Sequence, residues 1–130
     1  MGDDTRLCSL CQNRAVYLER ESGNHLCASH LKESVEKRVL ERLLSADALP
    51  DEIGVAFSGG KDSTALLAAM AALRNQIPAH LTALTVDEGI IGYREDTIRH
   101  ARHVCERLGI PHRIISFPDL YGFSLDQLIA

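Results

Sequence analysis

The sequence predicts an α/β protein: part of a doubly wound parallel sheet, preceded by a small cysteine-rich ribbon and a linking helix. Three observations carry this expectation. Apolar runs at Ile53 to Phe57, His80 to Val86 and His112 to Phe117 alternate with helical stretches at Ser63 to Leu73 and Arg94 to Leu108. Strands that alternate with helices pair in parallel through right-handed crossovers. A Gly-Gly turn, Gly59-Gly60, falls where the first of these strands meets the first helix. Upstream, three cysteines and a histidine at paired spacing lie in a segment with too few apolar residues to build its own core.

Size and charge bound the rest. A chain of 130 residues, 45% hydrophobic, buries one core and has room for a small satellite module, but hardly for two full domains. Fourteen basic against eighteen acidic residues leave it at −4, the balance of an ordinary globular protein. A nucleic-acid partner would therefore need a local basic face, or one outside this chain. Met1 to Leu10 lacks the basic start and apolar run of a secretory signal. The longest apolar stretch, Ala65 to Leu73, is far shorter than the ~20 residues that span a bilayer. The expected setting is reducing cytoplasm, where the four cysteines act as metal ligands or thiols in preference to disulfides.

Taken in order, Cys8-Ser-Leu-Cys11, fifteen intervening residues and Cys27-Ala-Ser-His30 offer two ligand pairs. Each has the two-residue spacing that lets both side chains grip one ion. Three thiolates and an imidazole suit tetrahedral zinc. With all four positions filled by protein, such a site is structural. The competing reading, a redox Cys-x-x-Cys, calls for a helix start in a βαβ setting, and this pair sits in a polar ribbon. The alternating run Ala15-Val16-Tyr17-Leu18 suits a small hairpin. From Leu31 to Leu44 the apolar residues Leu31, Val35, Val39, Leu40, Leu43 and Leu44 recur at helical spacing. Pro50-Asp51 breaks that pattern and opens the second module.

In the second module, Ile53 to Phe57 reads as a buried strand, and Ser63 to Leu73, apolar nearly all round, as a buried helix. Glu95 and Asp96 in the first turn of the Arg94–Leu108 helix, with Gly109 and Pro111 past its end, suit its dipole and its stop. Ser124 to Ala130 reads as the opening turns of a further helix. Cys105 shares a helix face with Ile98, Ala101 and Leu108 and reads as a small buried hydrophobe. His100 and His103 read as surface or groove residues, and Arg99, Arg102 and Arg107 as a modest phosphate-contacting patch.

The turn Ser58-Gly59-Gly60-Lys61-Asp62-Ser63 has the chemistry of a polyphosphate seat. Its glycines let backbone N–H groups approach an anion. The following helix turns its positive end to the same place, Lys61 adds a full charge, and Ser58 and Ser63 add hydroxyl donors. A Walker loop needs an earlier glycine where Val55 stands and a hydroxyl where Asp62 stands, so that pattern fails twice. Asp62 is left with two roles open, a magnesium contact or a helix-start cap. Asp87 closes the second strand at its carboxyl end, the side of an open α/β sheet on which ligands sit. The plainer reading is that it ends a strand and starts a turn.

Ser-Gly-Gly-Lys-Asp-Ser after an apolar strand resembles the PP-loop of the ATP pyrophosphatase superfamily, whose members adenylate an oxygen and release pyrophosphate. That resemblance implies ATP and Mg2+ as cofactors. It makes Ser58, Gly59, Gly60, Lys61, Asp62 and Ser63 the phosphate half of the site, Thr85, Val86 and Asp87 the nucleoside half, and Ala56 and Phe57 further nucleotide-binding residues, with Lys61, Asp62 and Asp87 as the catalytic candidates. The ribbon, the linking helix, the loop and Val86-Asp87-Glu88-Gly89-Ile90-Ile91-Gly92-Tyr93-Arg94 together resemble the TtuA group of tRNA 2-thiouridine-forming enzymes, from Cys8 through Leu128.

The group resemblance implies that ATP activates the C2 oxygen of a tRNA uridine and that sulfur then replaces AMP. It also implies a sulfur donor, such as a ubiquitin-like sulfur carrier, and a homodimer. Members of the group continue into a second Cys-x-x-Cys and a later cysteine that carry the sulfur chemistry, in some through an iron–sulfur cluster. The chain is accordingly expected to be a truncated form or part of a longer reading frame, binding nucleotide without transferring sulfur. The expected organisation is a zinc ribbon at 1–32, a linking helix at 33–50 and the N-terminal part of a PP-loop ATP-binding domain at 51–130. Two other readings stay open: a non-catalytic module that binds RNA or a sulfur carrier, and an amide-forming ATP pyrophosphatase.

Overall fold

The computed structural model describes residues 6–90 and 94–129. Residues 1–5, which bear on the secretion reading, and Ile91, Gly92 and Tyr93 of the second motif lie outside the described residues, as does Ala130. The chain divides into two compact units, residues 1–45 and 46–130.

In the first unit, strands β1 (Tyr17–Glu19) and β2 (Asn24–Leu26) form an antiparallel hairpin in which Tyr17 faces Leu26. Gly23 takes the positive φ of 74° that its turn requires. Helix α1 (Ala28–Leu44) follows directly. It starts three residues before the apolar periodicity, because Cys27 adopts the extended N-cap conformation and commits the chain to helix at once. Glu19 joins hairpin to helix: its carboxylate accepts from Ser22 Oγ and Ser34 Oγ at 2.5 Å each and from Arg38 at 3.1 Å. Cys8, Leu26 and Cys27 are the buried apolar residues of this unit, and α1 buries none. Among the described residues, the interior here is mostly thiol.

The second unit is a three-stranded parallel sheet of order β3 (Glu52–Ala56), β4 (His80–Asp87), β5 (His112–Ser116). Helix α2 (Lys61–Ala72) connects β3 to β4, and α3 (Arg94–Leu108) lies between β4 and β5. Val55, Phe57, Leu67, Met70, Leu73, Leu81, Ala83, Ala101 and Cys105 build the core. The expected α/β architecture with parallel pairing is what the chain adopts. Gly54 makes a close approach possible, since a Cβ there would lie 2.6 Å from Leu84 Cδ1.

Three local readings change. Helix α2 begins at Lys61, two residues earlier than its apolar pattern suggests, with extended Gly60 as N-cap. It buries only Leu67, Ala69, Met70 and Ala71, and Leu66 stays 42% exposed although it shares a face with Ala69 and Met70, so a helix apolar nearly all round is buried in its C-terminal half and not along its whole length. Strand β5 stops at Ser116 because α4 (Phe117–Tyr121) starts there. Pro118 suits a first helical turn, and Ser116 Oγ accepts from the Asp119 N–H at 3.4 Å. The further helix is the short α5 (Leu125–Ile129). No helix among the described residues is long and apolar enough to cross a membrane.

Candidate functional site

Each unit holds one candidate site. In the first, the donor atoms of Cys8, Cys11, Cys27 and His30 all lie within 4.8 Å of one another. The His30 Nδ1 is 3.3 Å from the sulfurs of both Cys8 and Cys27, and Cys11 Sγ is 3.8 Å from Cys27 Sγ. A tetrahedral ion with metal–sulfur bonds of about 2.3 Å holds its sulfurs about 3.8 Å apart, so these spacings fit four ligands of one ion. Local structure explains the convergence. The isolated Leu7–Arg14 bridge turns the first Cys-x-x-Cys back on itself, and the start of α1 places Cys27 and His30 one turn apart.

The electrostatics favour the thiolate, the ligand form, at Cys8 and Cys27, and favour the protonated forms of Cys11 and His30, protons that a metal would displace. Burial raises the Cys8 pKa, but N–H groups of Cys27, Leu10 and Cys11 and the Cys11 thiol outweigh it and bring the value to about 6. Cys27 is also lowered, chiefly by the His30 backbone N–H. His30 is raised by its hydrogen bonds to Cys27 and Cys8. Cys11 is raised: the Asn13 N–H pulls it down, but burial and the neighbouring thiols prevail.

The second site lies at the carboxyl ends of β3 and β4. Gly59, at φ 88°, reverses the chain after β3, and its Cα faces Thr97 and Ala101 of α3. Ser58 and Ser63 organise the turn. Their hydroxyls are 3.0 Å apart, Ser63 Oγ accepts from the Ser58 N–H at 3.2 Å, and Ser58 Oγ accepts from the Gly60 N–H at 3.3 Å. Thr64 Oγ1 donates to the Gly60 carbonyl at 2.6 Å. The first-turn N–H groups of α2 have no carbonyl one turn before them and are left to an anion. Lys61 and Asp62, the first two residues of α2, are exposed beside them. Gly60 holds the N-cap position, so Asp62 sits in the first turn, where a carboxylate suits the dipole.

Ala56, Phe57, Ser58, Ser63, Leu84, Val86 and Glu88 line one cavity of about 360 Å³. It brings together Ser58 and Ser63 of the phosphate half, Val86 of the nucleoside half, and Ala56 and Phe57, also expected to bind nucleotide. Thr85 and Asp87 are turned elsewhere. Thr85 is 1% exposed, and its hydroxyl donates to the Phe57 carbonyl at 2.7 Å. With its one proton so used, Thr85 Oγ1 accepts from His112 Nε2 at 2.7 Å, which fixes the histidine tautomer. Asp87 Oδ1 accepts from the Gly89 N–H at 2.9 Å, the geometry of a turn start. Leu84 and Glu88 are cavity residues that the sequence reading passes over. The signal for Leu84 was its period-two spacing from Val86, which puts both on one face of β4; Glu88 lies just past the strand and had no such signal.

Elsewhere in this unit, Cys105 is 1% exposed, and burial pushes its thiol up, as a core role requires. His100 and His103 are exposed on α3, as are Arg99, Arg102 and Arg107. Arg99 pairs with Asp96 at 3.4 Å.

A glycine-turned loop feeding a helix at the open end of a parallel sheet, with a cavity beside it, defines a nucleotide-binding α/β protein. Residues 28–122 match the family model of the PP-loop domain, and the chain belongs to that family. It is 35% identical over 126 residues to a probable sulfurtransferase of Methanocaldococcus jannaschii, covering 95% of this chain and 36% of that protein. It is 34% identical to cytoplasmic tRNA 2-thiolation protein 1 of Malassezia globosa, covering 96% of this chain and 35% of that protein. Among solved structures it is similar to the U34-tRNA thiolase NcsA of Methanococcus maripaludis with its [4Fe-4S] cluster. That match has a TM-score of 0.74 and 36% identity, over 98% of this chain and 43% of that one. The chain thus spans about a third of the length of the curated relatives it matches.

Proposed function

We propose that this chain provides the ATP site and a zinc-bound ribbon of an enzyme that thiolates a tRNA uridine. ATP adenylates the uridine C2 oxygen, pyrophosphate leaves, and sulfur then displaces AMP. The observation that carries the reading is the Ser58–Ser63 loop opening into a cavity walled by β3 and β4, in a chain of the PP-loop family. The thiolase and sulfurtransferase names of relatives near 35% identity support the acceptor.

In this proposal the loop N–H groups and Lys61 receive the phosphates, and Asp62 in the first turn of α2 faces their magnesium. Ala56, Phe57 and Val86 lie against the nucleoside, with Thr85 and Asp87 shaping the strand end behind it. Magnesium, when bound, neutralises the phosphate oxygens as pyrophosphate departs. Zinc suits the Cys8, Cys11, Cys27 and His30 set because a closed Cys3His tetrahedron needs no further ligand. The partition into ribbon at 1–32, linking helix at 33–50 and ATP-binding part at 51–130 is proposed as a division of labour. The reading further entails cytoplasmic work on tRNA, a sulfur donor such as a ubiquitin-like carrier, a homodimer, and, in the longer members, an iron–sulfur cluster on other cysteines.

The test is thermal unfolding of the zinc-loaded chain with and without MgATP. A ligand that binds only the folded state raises the midpoint by linkage. Protection by MgATP, stronger than by ADP or AMP and lost in Lys61→Ala, is the expected result. A midpoint indifferent to all three nucleotides in wild type would overturn the ATP site.

A further inference from the structure

Resting on the nucleotide reading above, we propose that Thr85 and His112 are positioning residues: without touching the nucleotide, they fix the peptide that opens the phosphate loop. Thr85 is, thiols aside, the one polar residue that is buried among the described residues. It alternates with Leu84 and Val86, the β4 residues that line the cavity, so its side chain leaves the sheet on the opposite face. Its hydroxyl acts on the site through other atoms.

Those atoms belong to the backbone where β3 ends. The β3–β4 register stops at Ala56 opposite Leu84, and the Phe57 N–H donates to the Leu84 carbonyl at 2.8 Å. The Phe57 carbonyl lies past the last paired residue and accepts the Thr85 hydroxyl at 2.7 Å. It shares a peptide plane with the Ser58 N–H. In a planar trans peptide the two point in opposite directions, so holding one aims the other. The Ser58 N–H is aimed at Ser63 Oγ, 3.2 Å away, and both serines line the cavity. On the far side, His112 Nε2 donates to Thr85 Oγ1 at 2.7 Å, which directs the one threonine proton to the Phe57 carbonyl. The His112 ring is braced edge-on by Phe57, with centroids 6.3 Å apart. A single run of hydrogen bonds thus passes from β5 through Thr85 and one peptide group to the loop hydroxyl of Ser63, and bonds in such a run strengthen one another.

The experiment is proton–nitrogen correlation NMR of the full 130-residue, zinc-loaded chain, read at the Ser58 amide and the His112 ring, with MgATP affinity measured by calorimetry on the same samples. In wild type the neutral His112 ring is expected to carry its proton on Nε2. A ring protonated on Nδ1 alone would break the run at its origin and overturn the proposal, and that reading needs no variant. Thr85→Val keeps the side-chain shape and removes the hydroxyl. Its Ser58 amide proton should move upfield, and MgATP should bind roughly tenfold more weakly, as when a loop is correctly set only part of the time. Thr85→Ser should recover both. If Thr85→Val does not fold, the histidine pair carries the test: His112→Phe keeps the ring beside Phe57 and should shift the Ser58 amide, whereas His112→Gln keeps a donor and should not. A Ser58 resonance or MgATP affinity unmoved in folded Thr85→Val overturns the proposal, as does failure of Thr85→Ser to recover either, which would make the effect one of packing. Failure of wild type to bind MgATP defeats the underlying nucleotide reading, whereas equal binding by wild type and Thr85→Val defeats only the positioning role.

Discussion

At the scale of single residues, the two loop glycines divide their work unequally. Gly59 sits at φ 88°, where an L side chain costs about 1–2 kcal/mol, yet a Cβ there would meet its nearest atom at an ordinary 3.6 Å. Gly60 has φ −73° and open space beyond the Ser58 hydroxyl. Gly59→Ala is therefore expected to destabilise the chain by about 1–2 kcal/mol in urea unfolding and to weaken nucleotide binding, with Gly60→Ala close to wild type in stability. The sequence shows that the pair makes a turn. It does not show which glycine takes the left-handed conformation, because that depends on where α2 starts. The same limit applies to Asp87 and Glu88: two adjacent acids look equivalent until the structure puts Asp87 on the Gly89 N–H and Glu88, just past the strand, in the cavity lining.

At the scale of elements, one hydrogen-bonded chain links all three strands. Thr85 on β4 donates to the carbonyl of Phe57, just past β3, and accepts from His112 on β5. Burial lowers the His112 pKa, and the Arg102 charge lowers it further. Between the depressed folded value and the ordinary ~6.5, the unfolded chain binds more protons, so this contribution is present above ~6.5 and is lost as pH falls towards the folded value. Melting midpoints measured from pH 7.5 downward should fall less steeply in His112→Gln, which can still donate to Thr85, than in wild type. A wild-type slope retained by the variant would remove His112 as the source.

The elements themselves were largely legible, since apolar runs bounded by Gly, Pro and Asp place β3, β4, β5 and α3 close to their observed limits. The helix starts were not. Cys27 and Gly60 occupy N-cap positions without any side-chain cap hydrogen bond, so no Ser, Thr, Asp or Asn announces either helix. Helix α4 was hidden because Phe117 reads as the last residue of an apolar strand.

At the scale of the whole molecule, the two units are held by different physics. Among the described residues, 46–130 bury a set of mainly aliphatic side chains, whereas 1–45 bury Leu26 and two of their own prospective ligands. A strong chelator should accordingly abolish amide-exchange protection in β1, β2 and the start of α1 while leaving β3, β4 and β5 protected. Uniform loss or uniform retention across both units would contradict that difference. The Cys8–Cys11 and Cys27–His30 pairing was legible because ligand spacing is a local property, but its role as the unit's interior emerged only from burial. An interior built from thiol sulfur is also open to attack in a way that leucine is not. Peroxide that converts Cys8 or Cys27 to a sulfur acid would delete a structural brick and a donor in one event. The ribbon would then lose its shape under oxidative stress before the sheet had lost a single contact.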